Sequence, residues 1–217
     1  MLSIKVFTFN PLQENTYLVY NENGAGVLID PGCYDKEEKN ELDRFIQAND
    51  IKILKLLNTH CHVDHVLGNA WAKNKYDLDL WIHQNEIPVL KAVEVYAPGY
   101  GLPAYEPSTH DHLLSEGDMI EIGDDKLECL FVPGHSPGHI VFYNAKSNFA
   151  ICGDTLFRGS IGRTDLPGGN HQQLLDRINS ILFELPETTV LFPGHGPETN
   201  VGFEKEHNPF VGKNAIY

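Results

Sequence analysis

The sequence predicts an α/β domain in which two β-sheets pack face to face and carry helices on their outer sides. Three observations predict it. Short apolar runs bounded by turn residues recur in both halves of the chain, helical patterns stand among them, and no repeat or linker separates the halves. An element with one apolar face must bury it, and two such sheets bury theirs against each other. The 217 residues suffice for one core of this kind, so 1–217 is read as a single domain.

Residues 4–9, 16–20 and 26–30 read as strands, with Asn21-Glu22-Asn23-Gly24 as a turn between two of them. In residues 35–49, Leu42, Phe45 and Ile46 recur at helical spacing in a charged background, which predicts an amphipathic helix. Residues 51–57 form an apolar run of the length of a buried strand. A short helix over 70–75, a strand over 78–83 and a helix over 84–96 follow. Residues 97–116 are rich in Pro, Gly, Tyr and His without sustained period, and read as a long loop. Strands are predicted over 119–122, 126–132, 139–144 and 148–152. Asn170 with Gln173 has the pattern of a capping box, and Leu174, Ile178, Ile181, Leu182 and Leu185 mark one helix face that Pro186 ends. Residues 189–192 read as a last strand, and the tail from Gly196 reads as polar.

Composition excludes several classes of function. A net charge of −14 argues against a general nucleic-acid footprint and against docking on anionic membrane. No apolar run has the length of a membrane span, and the N-terminus has no signal-peptide pattern. Cys33, Cys61, Cys129 and Cys152 have no paired close spacing, as expected of reduced thiols in a cytoplasmic protein.

The chemistry concentrates in Thr59-His60-Cys61-His62-Val63-Asp64-His65. If His60 and His62 leave a strand end, their alternation aims both imidazoles to one side. Asp64 and His65, past a turn, can reach a second point nearby. Imidazole with carboxylate suits zinc or iron, and two metals about 3.5–4 Å apart can activate one shared water. His135, Asp154 and His195 each follow a predicted strand and stand beside a glycine, in Pro133-Gly134-His135, Cys152-Gly153-Asp154 and Pro193-Gly194-His195. Glycine allows the sharp turn that brings a short ligand inward. Cys61 alternates away from its neighbours and reads as a packed residue. His83, His110, His112, His171 and His207 read as structural or surface histidines, and a strand through His139 would carry it away from the site.

His60-x-His62-x-Asp64-His65 with His135, Asp154 and His195 resembles the metallo-β-lactamase superfamily nearly end to end. The resemblance implies an αββα four-layer sandwich. It implies one metal on His60, His62 and His135, a second on Asp64, His65 and His195, and Asp154 bridging them. Asp30, in Leu28-Ile29-Asp30-Pro31-Gly32, matches the early aspartate that steers a histidine. Asp64 and Asp154 are the expected catalytic carboxylates. The ions are expected to be two divalent metals, zinc first, with iron or manganese as alternatives.

Two stretches narrow the resemblance. Residues 153–170, running Gly153-Asp154-Thr155-Leu156-Phe157-Arg158 to Gly169-Asn170, and Leu191-Phe192-Pro193-Gly194-His195-Gly196-Pro197 look like the short bacterial branch of the glyoxalase II group. That implies hydrolysis of a small acyl-thiol such as S-lactoylglutathione. Longer members carry a C-terminal helical domain, for which the roughly twenty residues after His195 leave no room. Arg163 is expected either to bind substrate, because a guanidinium fork binds a carboxylate in an otherwise acidic protein, or to be a structural arginine bridging to Asp165 or a loop carbonyl. Tyr96, Tyr100 and Tyr105 are expected to anchor the long loop. Thr59 to His65 and Gly162-Arg163-Thr164-Asp165 also resemble persulfide dioxygenases, which implies a mononuclear iron on His60, His135 and Asp154 as the alternative.

Overall fold

A computed structural model describes residues 1–213 and 215. The first half forms a six-stranded sheet of β1 (Leu2–Phe9), β2 (Glu14–Asn21), β3 (Ala25–Ile29), β4 (Lys52–Leu57), β5 (Leu80–His83) and β6 (His112–Leu114), in spatial as in chain order. β1 to β3 are antiparallel and β3 to β6 are parallel. Parallel neighbours need a crossover. These are supplied by α1 (Lys36–Ala48), by α2 (Val63–Val66) with α3 (Asn69–Tyr76), and by α4 (Ile87–Tyr96). The second half adds β7 (Met119–Ile122), β8 (Asp125–Phe131), β9 (Ile140–Asn144) and β10 (Phe149–Gly153), then a small hairpin of β11 (Leu156–Phe157) and β12 (Ser160–Ile161). After α5 (His171–Ser180) come β13 (Val190–Pro193), β14 (Thr199–Asn200) and α6 (Val201–His207). The second sheet has the order β14-β13-β10-β9-β8-β7.

Strand alternation divides the core into three apolar layers. Tyr17, Val19, Val27, Ile29 and Leu57 meet Leu127, Cys129, Ile140, Phe142 and Ile151 between the sheets. The intervening Leu18, Leu28 and Leu56 point the other way, against Leu42 and Ile46 of α1 and Leu90 and Val93 of α4. Likewise Val141, Ala150 and Cys152 face Leu174 and Ile178 of α5 and Val201 of α6. The result is the αββα four-layer sandwich. Asp35 caps α1 with a reciprocal capping box through Glu38. Asn170 caps α5, its side chain accepting from the Gln173 N–H.

The main strands fall within one or two residues of their expected places, and the differences are local. The helix expected through Leu185 stops at Ser180 and resumes as a 3-10 turn, Leu182–Glu184. Gln84–Glu86 is likewise a 3-10 turn ahead of α4. The long loop contains another 3-10 turn, Ala97–Tyr100, and the edge strand β6 paired to β5. The tail is not simply polar: β14 extends the second sheet and α6 buries Val201 and Glu204. All four cysteines are free and buried. Among the described residues no helix is long and apolar enough to cross a membrane.

Candidate metal centre

Five chain segments leave strand ends and converge on one edge of the sandwich. β3 runs into Asp30, β4 into His60, β8 into His135, β10 into Asp154 and β13 into His195. His62 then caps α2, so Asp64 and His65 project from that helix and not from a plain turn. At Gly153 φ is +47°, and an added Cβ would lie 2.4 Å from Thr59 Oγ1 and 2.7 Å from His139 Nε2. Only glycine makes that turn so close to its neighbours.

Six of the seven residues singled out as metal ligands fall into two groups that could each hold a metal, His60-His62-His135 and Asp64-His65-His195, while a third such group, Asp30-His60-His65, overlaps both. In the first, His135 Nε2 is 2.9 Å from His62 Nδ1 and 3.2 Å from His60 Nε2. In the second, Asp64 Oδ2 is 3.0 Å from His195 Nε2 and 3.8 Å from His65 Nε2. Asp154 stands between them. Its Oδ2 is 3.6 Å from both His135 Nε2 and His195 Nε2, and its Oδ1 is 3.4 Å from His65 Nε2.

The other ring nitrogens decide which lone pairs face inward. His65 Nδ1 donates to Asp30 Oδ2 (3.1 Å), His135 Nδ1 to the Arg163 carbonyl (2.8 Å) and His195 Nδ1 to the Gln13 carbonyl (3.1 Å). Thr59 Oγ1 donates to Asp30 Oδ2 (2.6 Å) and so accepts from His60 Nδ1 (3.1 Å). A proton kept on Nδ1 by these acceptors leaves Nε2 as the atom that each of the four rings can turn to a cation at the centre. Asp30, at φ +50°, also accepts from the Thr59 N–H (2.7 Å), so it organises two histidines as expected of it.

Imidazole nitrogens and carboxylate oxygens crowded at these distances are compatible only with cations, protons or metal, lying among them. His65 Nε2 and Asp154 Oδ1 are buried and have no hydrogen-bond partner. Burial pushes His60, His62 and His135 below the ordinary histidine range, His62 to about 3. Burial also opposes charge on His65, but Asp64 and Asp154 outweigh it and raise its pKa. Burial works against ionisation of Asp64 and Asp154, yet His65 beside them holds both below the usual carboxylate value. The field that draws a proton to this spot favours a metal cation equally, so the donor set fits divalent metal.

One expectation needs adjustment. β9 begins at Ile140, so His139 remains in the loop and turns inward. It stacks on His60, with ring centroids 4.8 Å apart, and its Nε2 accepts the Asp154 N–H at 3.0 Å. His139 therefore positions ligands, which strand alternation counted from residue 139 did not reveal. The guanidinium of Arg163 is 60% exposed and forms two 2.8 Å bonds with Asp165, the pairing expected as the alternative to a substrate contact. What Arg163 contributes directly to the centre is its backbone carbonyl. Tyr96 and Tyr105 pack on the helix-side core as loop anchors, while Tyr100 is exposed. Cys61 packs in the same core.

Sequence reasoning missed Glu14 and Glu86, both fully buried. Glu14 Oε2 accepts from Thr16 Oγ1 at 2.9 Å, and its Oε1 lies 3.9 Å from His65 Nδ1. Burial raises its pKa, with Asp30 adding to the effect. Neither carried a local signal: Glu14 opens β2 in the polar stretch Glu14-Asn15-Thr16, and Glu86 ends the polar turn Gln84-Asn85-Glu86.

Residues 9–195 match the metallo-beta-lactamase superfamily, and the chain belongs to that family. It is 37% identical over 203 residues to a probable metallo-hydrolase, YqgX, of Bacillus subtilis, covering 93% of each chain. It is 31% identical over 216 residues to the hydroxyacylglutathione hydrolase GloC of Haemophilus influenzae, covering 99% of this chain and 100% of that one. Among solved structures, TTHA1623 in a di-iron-bound form has a TM-score of 0.83 and 39% identity, covering 95% of this chain and 100% of that one. The B3 metallo-beta-lactamase BLEG-1 has a TM-score of 0.84 and 32% identity, with coverage of 96% and 99%. ETHE1 from Myxococcus xanthus has a TM-score of 0.79 and 25% identity, with coverage of 96% and 84%. The coarse function is that of a metal-dependent hydrolase.

Proposed function

We propose that the chain is a dinuclear metal-dependent thioesterase that hydrolyses a small acyl-thiol of the S-lactoylglutathione type. On this reading His60, His62 and His135 hold one divalent ion, Asp64, His65 and His195 hold the other, and Asp154 bridges them. The observation that carries it is the second group. Asp64, His65 and His195 offer a full set of donors beside the first, with Asp154 directing one oxygen at each side. Held by these residues, two divalent cations would supply Lewis-acid chemistry, the activation of water near neutral pH and polarisation of a thioester carbonyl.

The chain's own residues do the rest. Asp64 and Asp154 supply the negative charge that balances the cations. Asp30, Thr59 and the Gln13 and Arg163 carbonyls fix the imidazoles, so little reorganisation accompanies the reaction. A thiolate leaves readily, which agrees with the lack of any side chain here that must act as a strong general acid. The likeness to GloC supports the same substrate class. Zinc is the ion proposed, with iron as the alternative because a similar chain carries two irons. The partner is thus a small molecule, and nucleic acid and membrane are not.

The likeness to ETHE1 favours one second reading, a single iron on His60, His135 and Asp154 serving persulfide oxidation. That reading leaves Asp64 and His195 unused. Reconstitution with zinc or iron, metal analysis, and parallel assays of thioester cleavage and persulfide-dependent oxygen uptake decide between them. Two metals per chain with thioester cleavage is the expected result. One metal with full activity, or oxygen uptake alone, overturns the proposal.

A further inference from the structure

Glu86 touches no proposed ligand, yet it is bound to both loops that carry the first group. It ends the 3-10 turn Gln84–Glu86 and is fully buried. Its Oε2 accepts from the N–H of Cys61 at 2.7 Å, between His60 and His62. Its Oε1 accepts from Ser136 Oγ at 2.5 Å and from the Gly138 N–H at 2.7 Å, beside His135. The fit is close. An added Cβ at Gly138 would come within 2.8 Å of Glu86 Cγ and 2.9 Å of Oε1. Among the described residues no lysine or arginine pairs with this carboxylate, so three donors alone offset its burial.

A residue with this cost has a purpose that an apolar side chain would not serve. The His62 and His135 rings belong to different sheets' loops, and only their relative placement makes a three-nitrogen site. Nothing from Glu86 reaches Asp64, His65 or His195.

We propose that Glu86 is a positioning residue for the metal at His60, His62 and His135, clamping the two loops so that this site, and not its neighbour, depends on it. The inference rests on the ligand assignment proposed above. A glutamine in its place has one accepting oxygen, and its NH2 must face either the Cys61 N–H or the Ser136 and Gly138 donors.

The test isolates each site in the full-length chain. His195→Ala weakens the second group and leaves the first, while His62→Ala does the reverse. Glu86→Gln is added to each, and zinc affinity is measured by competition with a chromophoric chelator. In the His195→Ala chain it is expected to fall by about 10- to 100-fold, the usual effect of removing a ligand's supporting partner. In the His62→Ala chain it is expected to stay the same. Equal weakening in both, as general loosening would give, or no weakening in the first, overturns the inference. If Glu86→Gln fails to fold, Ser136→Ala in the same backgrounds removes one donor. A smaller fall confined to the first site is then expected, and no fall overturns it. Uptake of fewer than two zinc ions by the wild-type chain would instead refute the dinuclear reading, independently of Glu86.

Discussion

Asp30→Asn changes two atoms' chemistry and almost nothing else. Asp30 sits at φ +50°, a left-handed conformation that asparagine tolerates as well as aspartate. The backbone therefore has no reason to move. Its carboxylate faces four donors: the Thr59 N–H and Asn58 Nδ2 at Oδ1, and Thr59 Oγ1 and His65 Nδ1 at Oδ2. Whichever way the amide lies, its NH2 confronts two of them. Two buried donors left without an acceptor cost about 1–3 kcal/mol each, or about 2–6 kcal/mol in total. Against a whole-domain stability of about 5–15 kcal/mol this is a large fraction. With the NH2 on the Oδ2 side, where the Thr59 hydroxyl can turn to accept from it, His65 also loses the acceptor that keeps its proton on Nδ1, so affinity for metal at Asp64, His65 and His195 should drop about 10- to 100-fold. Urea unfolding of the metal-free chain measures the first effect and chelator competition the second. A stability change within about 0.5 kcal/mol, the range of ordinary surface substitutions, with unaltered metal affinity, would refute the argument.

Asp154→Asn should lose metal as well as turnover, since a neutral amide cannot balance two cations; a variant that retains two metals by elemental analysis and near-normal turnover would show that Asp154 is no bridge. At the rim, Asp165 occupies the Arg163 fork, so Asp165→Ala should free it and lower KM for an anionic thioester. Arg163→Ala should raise that KM, and a neutral thioester should respond to neither change; parallel kinetics on the two substrates check both statements. The four cysteines should resist a thiol reagent at pH 8 in the native state and react fully in urea. Burial raises Cys33, Cys61, Cys129 and Cys152, Cys129 to about 12. Rapid labelling of the native chain would contradict their placement.

The strands were legible wherever one face is buried on each side, because alternation such as Tyr17, Leu18, Val19 assigns each residue to a layer. The residues of the candidate centre were legible because each stands in a short motif after a strand. The unrecognised elements have no such period. β6 has three residues and β11, β12 and β14 two each, too few to alternate. α6 looks polar because Glu204 resembles a surface residue. It is buried only because Gly159 N–H, Thr199 Oγ1 and Asn208 Nδ2 converge on it. Glu86 is the same case on a larger scale, since its partners lie 25, 50 and 52 residues away. For Glu204 the Gly159 donor is 45 residues away, though Thr199 and Asn208 are near in sequence; for Glu86 no local window contains any of the donors.

The placement of the ligands ties the centre to the docking of the two sheets. His60, His62, Asp64 and His65 follow β4 of the first sheet, while His135, Asp154 and His195 follow strands of the second. Each proposed metal site therefore draws ligands from both. The same edge is bridged by protein bonds: Ile140 N–H to the Thr59 carbonyl at 2.8 Å, Asn15 N–H to the Gly194 carbonyl at 2.7 Å, and Tyr17 OH to the Pro193 carbonyl at 2.5 Å. These contacts place the loops, but they leave facing lone pairs and carboxylates whose repulsion opposes closure. A cation bound there reverses the sign of that interaction only when the sheets are docked. Ligand that binds the folded state alone stabilises it in proportion to the logarithm of its concentration over Kd. On the proposed ligand assignment, metal binding would therefore stabilise the docking of the two sheets as well as supply the chemistry of the centre.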